Sequence, residues 1–158
     1  PAVFMKTECA RISEQLRRAF TGGSWHGPSL KELLADVTAE QAAAHPAKDI
    51  HSVWELVLHI HVWEKAVLGA VQGTAIPEPL PDEMQWPAHS LDADSWAQTL
   101  SLFFVFNEAL CRTIEKFGDD RLFETVPGRE YDFHFAFNGV IQHSLYHAGQ
   151  IALLRKSA

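Results

Sequence analysis

Positive charge is in short supply in this sequence. Thirteen Lys and Arg face 20 Asp and Glu in 158 residues, a formal net charge of −7. A nucleic acid or an anionic membrane surface calls for a basic face, so neither is expected as a partner. Cysteine is scarce too. Cys9 and Cys111 are the two present, too few for a disulfide framework. Each falls among apolar residues of a predicted helix, so both are expected as buried free thiols. No apolar run approaches the roughly 18–20 residues of a membrane span. No secretory leader is read at the start of the chain. A cytoplasmic protein is the expectation. Several catalytic signatures are missing: His-Glu-x-x-His, Glu-x-x-His, the P-loop, Gly-x-Gly-x-x-Gly and Cys-x-x-Cys. Their absence argues against a zincin, a ferritin-like di-iron centre and the common nucleotide loops.

What is present is apolar residue and histidine. The apolar fraction is 47% against 21% charged, the balance of a folded globular chain. A length of 158 residues suits one domain, 1–158, with a real core. Residues 3–20 carry Phe4, Ile12, Leu16, Ala19 and Phe20 at helical intervals. Thr21-Gly22-Gly23 stops that helix, and Trp25-His26-Gly27-Pro28 is a turn. Ser29 then caps a short helix to residue 37, with Glu32 completing a capping box. Another short helical turn opens at Thr38 and ends at Pro46.

Ser52 and Glu55 have the same capping-box spacing at the start of a second long helix, residues 52–72. Residues 73–90 hold Pro77, Pro79, Pro81 and Pro87. That density predicts a long loop without regular structure, of the kind that borders sites. A third long helix covers residues 92–117, with Leu100, Phe103, Phe104, Asn107, Leu110, Cys111, Ile114 and Phe117 on one wide face. Residues 119–133 fit a small hairpin or an irregular excursion. A fourth long helix runs over residues 134–156, where Arg155 and Lys156 suit the negative end of the helix dipole. Four long amphipathic helices with little strand signal make an all-α four-helix bundle. Its long connections rule against a simple stack of tight hairpins.

The last helix carries His143 and His147. Residues four apart lie one above the other on a helix, with Cβ atoms roughly 5–6 Å apart. Two imidazoles so placed can converge on one ion. Gln150 shares their face. Nine histidines in 158 residues make such pairs common by chance, and satisfied or solvent-facing histidines are the plain alternative. The setting favours ligands, because Val140, Ile141, Ile151 and Leu154 make the surroundings apolar. A third ligand must come from another long helix, which leaves His59 and His61, with His134 at a helix start. On a helical wheel, His59 and His61 flank the stripe Val53, Val57, Ile60, Val67 and Val71 equally. Periodicity therefore leaves both open. His59 shares a face with Glu55 and Trp63. His61 sits with Glu64 and Lys65, which reads as a solvated edge.

Leu58-His59-Ile60-His61-Val62-Trp63-Glu64, followed by His143-x-x-x-His147-x-x-Gln150-Ile151, resembles the DinB/YfiT-like family of metalloenzymes. Trp25-His26-Gly27-Pro28, His51-Ser52-Val53-Trp54 and Ala148-Gly149-Gln150-Ile151 add to the likeness, which covers nearly the whole chain. In that family a second-helix histidine has an aromatic residue four positions on and an acid five on. Trp63 and Glu64 stand so to His59, and the resemblance implies a metal site of His59, His143 and His147. It also implies a four-helix bundle and, frequently, a homodimer.

Three neutral imidazoles leave coordination positions free, the open pattern of a catalytic site. They suit zinc or nickel, and also iron or copper; the residues do not choose among these. A divalent ion lowers the pKa of a bound water or thiol, or polarises a carbonyl. The expected activities are therefore a metal-dependent hydrolase or a thiol-dependent S-transferase acting on a small-molecule substrate. The resemblance favours the second, because some similar proteins use low-molecular-weight thiols. A non-catalytic metal- or small-ligand-binding module, as in a stress or sensor protein, is the alternative. A bundle whose histidines merely hydrogen-bond to one another is the third reading. Around the site, Glu55 is the candidate base or ligand-orienting acid, against its plain reading as a helix-start acid. Gln150 is a candidate to hydrogen-bond a ligand or a bound water. Trp63 is a candidate pocket wall. The tryptophans are otherwise expected in the core or an interface.

Overall fold

The computed structural model describes residues 6–156, and the segment holding Phe4 lies outside them. Local signals account for most helix boundaries. Thr7 starts α1 (Glu8–Thr21) by accepting from the Ala10 N–H. The Asp119 carboxylate takes the Glu8 and Cys9 N–H groups at 2.8 and 2.9 Å, so two more of the free first-turn donors are satisfied. Cys9, Ile12, Leu16, Ala19 and Phe20 form its buried stripe. The expected capping box at Ser29 and Glu32 opens α2 (Leu30–Leu34), which stops short of residue 37. Thr38 and Gln41 form a second box at α3 (Ala39–Ala43). Ser52 and Glu55 form a third at α4 (Val53–Val71).

The Pro-rich stretch is not wholly irregular. It contains one helical turn, α5 (Asp82–Gln85). Pro81 precedes that turn, where no N–H is needed, and its carbonyl accepts from Met84 and Gln85. Asp92 then caps α6 (Ala93–Phe117). Residues 119–133 form a short 3-10 turn and then double back. One antiparallel bridge joins Thr125 to Asp132, and no strand forms among the described residues. Gly128 is at φ +80°, and a Cβ there would lie 2.5 Å from the Ile76 carbonyl. That close approach ties the hairpin-shaped loop to the Pro-rich one through Ile76 N–H to Pro127 O.

Asp132 caps α7 (Phe133–Leu154). Arg155 lies just past its end instead of in its last turn. Its guanidinium donates to the Glu32 and Leu33 carbonyls at the end of α2, at 3.3 and 2.8 Å. The expected dipole interaction with α7 is thus replaced by a cap on another helix.

The four long helices α1, α4, α6 and α7 form the bundle. Both α1 and α4 pack against α6 and α7, so α1 and α4 stand diagonally opposite. Long connections are needed because consecutive long helices are not all neighbours. Phe20, Trp54, Phe103, Leu110, Ile114 and Phe137 fill the centre. Cys9 and Cys111 are both buried and free. Among the described residues, no helix is long and apolar enough to cross a membrane.

Candidate metal centre

Packing of α4 against α7 brings His59 to the pair on α7. The Nε2 of His143 lies 3.1 Å from the Nε2 of His59 and 3.1 Å from that of His147. One ligand nitrogen from each ring falls within 4.8 Å of the other two. Nitrogens held at 2.0–2.1 Å from one tetrahedral ion stand roughly 3.3 Å apart. His59, His143 and His147 therefore could hold a metal ion with little movement.

Hydrogen bonds decide which nitrogens face inward. His59 Nδ1 lies 3.1 Å from the Gln85 carbonyl, and His147 Nδ1 lies 2.5 Å from Gln150 Oε1. Carbonyl oxygens only accept, so both Nδ1 atoms carry the proton and both Nε2 atoms keep a lone pair. His143 Nε2 sits against both lone pairs. A single N–H there cannot point at both, so at least one contact sets lone pair against lone pair. A cation at the centre removes that conflict, and the donor set fits one. Burial pushes the His143 pKa down to about 3, helped by His147 and His59. Burial lowers those of His59 and His147 as well. The rings are thus neutral at pH 7, the form that binds metals.

Aromatic rings hold the site from outside. The indole of Trp86 lies flat on His59, with centroids 4.0 Å apart and planes within 6°. Its other face covers His51 at 3.5 Å and 7°. A cleft of about 500 Å³ opens here, lined by His51, Trp86, Tyr146, His147, Gln150 and apolar neighbours including Leu56 and Leu153. A smaller cleft of about 210 Å³ reaches His143 between Trp63, Tyr131 and Phe135. Trp63 meets the His143 ring edge to face at 6.1 Å.

Glu55 does not touch the triad. Its Oε2 accepts from the Ser52 N–H at 2.9 Å and pairs with His51 Nδ1 at 3.1 Å. His61 points away from the triad and meets Phe106 edge to face at 4.9 Å. The expected solvated edge beside it is overturned at Glu64, which is 0% exposed and accepts from Asn107 Nδ2 at 2.7 Å. With α6 on one side of α4 and α7 on the other, both flanks of its apolar stripe are covered. Sequence reasoning gave Gln85, Trp86 and His51 no place at the site, although His51 stood in the His51-Ser52-Val53-Trp54 match to the family and Trp86 is a large aromatic residue in a Pro-rich loop.

Fold and site together define a class: a helical bundle with an inward-facing three-histidine centre between two neighbouring helices. The family profile described as the DinB superfamily matches residues 14–151, and the chain belongs to that superfamily. No curated protein and no solved structure matches the chain.

Proposed function

We propose that this protein binds one divalent transition metal ion, zinc or nickel first, through His59, His143 and His147. We propose further that it is an enzyme, transferring a small electrophilic group onto a low-molecular-weight thiol. The convergence of three Nε2 atoms, two of them locked by Nδ1 hydrogen bonds, carries the metal reading. When bound, the ion supplies positive charge that favours the deprotonated form of a thiol. No carboxylate belongs to the triad, so that charge stays uncancelled. A thiol, with a pKa near about 8.5, needs less help to ionise than water at about 15.7. This favours thiol transfer over hydrolysis.

The chain's own residues supply the rest. The largely apolar wall of Ile50, Leu56, Trp86, Leu153 and Leu154 binds the carbon skeleton of the substrate. Gln150 and the Gln85 carbonyl keep the imidazoles aimed inward. The reading includes a cytoplasmic setting, where reduced thiols such as Cys9 and Cys111 persist. It includes a homodimer as well. Exposed Phe135 on α7 would supply apolar contact area.

Elemental analysis of the untagged, purified protein tests the metal reading, with one equivalent expected. Turnover of a model electrophile should require metal and thiol together. Bound metal without turnover on a panel of electrophiles would favour a non-catalytic module.

A further inference from the structure

The imidazole of His51 stands outside the triad but is built into the same cleft. Its Nδ1 faces the Glu55 carboxylate at 3.1 Å, which accepts only. Nδ1 therefore carries a proton, and in the neutral ring Nε2 is the nitrogen with the free lone pair. Burial raises the Glu55 pKa, but the Ser52 N–H, His51 and His45 outweigh it, and the carboxyl is held below its usual range. The acid is an anion at neutral pH. Its Oε2 is taken by Ser52 and His51, and its Oε1 lies 3.7 Å from His45 Nε2, beyond hydrogen-bond reach. Stacking on Trp86 at 3.5 Å fixes the plane of the His51 ring. His51, His147 and Gln150 line one cleft of about 500 Å³, and the His51 side chain is 46% exposed to it and to solvent. The other titratable groups around it are His45, Asp49, Tyr146 and His147, the last three lining the same cleft, and His59 across Trp86.

Lone pairs of the triad given to an ion can take no proton. A thiol ionising in this cleft needs another acceptor. We propose that His51 is that acceptor, through Nε2, and that Glu55 is the residue that positions it. The inference rests on the thiol reading above. In the step, the S–H bond breaks and its proton passes to His51 Nε2. The sulfur keeps the electron pair and forms a bond to the electron-poor carbon of the second substrate. The leaving group departs with its bonding pair and takes the proton from His51. Thiol and electrophile thereby become thioether and protonated leaving group.

The test counts protons, not turnover. Untagged zinc-loaded protein is titrated with β-mercaptoethanol at neutral pH by calorimetry, in two buffers of different ionisation enthalpy. Wild type should release about one proton fewer to the buffer than His51→Gln, because the thiol proton stays on the imidazole. His51→Asn should match His51→Gln, and zinc stoichiometry in all three checks the fold. Equal proton counts with zinc in place overturn this proposal alone. So does absence of thiol binding to zinc-loaded wild type. Failure of wild type to take up zinc overturns the metal reading, and this proposal with it.

Discussion

His147 Nδ1 and Gln150 Oε1 lie 2.5 Å apart, closing one turn of α7 on itself. That bond sets both the tautomer and the rotation of the ring, and so aims Nε2 at the other two histidines. Gln150→Leu keeps the volume and removes the acceptor. Zinc affinity should fall roughly 10–100-fold, the usual cost of losing such a partner. Competition with a chromophoric chelator measures it.

The two histidines of α4 should behave differently. His59→Ala, His143→Ala and His147→Ala should each abolish stoichiometric metal binding. His61→Ala should retain it, since that ring packs on Phe106 away from the triad. Elemental analysis of the four untagged variants decides. Loss of metal in His61→Ala alone would reassign the second-helix ligand.

Trp86 joins the Pro-rich loop to the site through two stacked imidazoles. An aromatic pair contributes about 0.5–1.5 kcal/mol beyond area burial. Trp86→Ala should loosen residues 73–90 and release the Gln85 carbonyl from His59. Limited proteolysis should cut that loop faster, and zinc should bind several-fold more weakly. An unchanged cleavage rate would count against the stacking as the tie.

Burial holds the Glu64 pKa up at about 8, against 4.5 ordinarily, with the Asn107 hydrogen bond opposing. Between these values the unfolded chain is ionised at this position and the folded one is not. The raised pKa therefore contributes stability below about pH 4.5 that is lost as pH rises to about 8. Glu64→Gln removes the ionisation and can still accept from Asn107. Its urea midpoint should match wild type in acid and exceed it at alkaline pH.

The metal-free triad works in the opposite direction. With the His143 pKa lowered from 6.5 to about 3, the folded state favours the neutral ring. That stability is full above pH 6.5 and is lost as pH falls towards about 3. Urea midpoints of the metal-free protein should therefore drop on acidification. The drop should be shallower in His143→Ala, where the buried ring is absent.

Some of this was readable from the chain. Ser29 with Glu32 and Ser52 with Glu55 mark helix starts because a capping box is a local hydrogen-bond pattern over four residues. The buried face of α6, from Phe103 to Phe117, followed from helical periodicity. The single turn at Asp82–Gln85 was hidden, because proline density reads as irregular when Pro81 in fact precedes the turn. The burial of Glu64 was hidden too. A wheel shows which side of α4 is apolar, but not that α6 and α7 cover both flanks.

By itself the sequence determined the helices, their caps and the pairing of His143 with His147, since each depends on residues a few positions apart. Its periodicity left His59 and His61 equivalent, the family resemblance pointed to His59, and the packing of α4 on α7 brings His59 to the pair. Tertiary structure also brought Gln85, Trp86 and His51 to the site. Those contacts join residues far apart in the chain, and their geometry is set by how helices and loops dock, which no local pattern encodes.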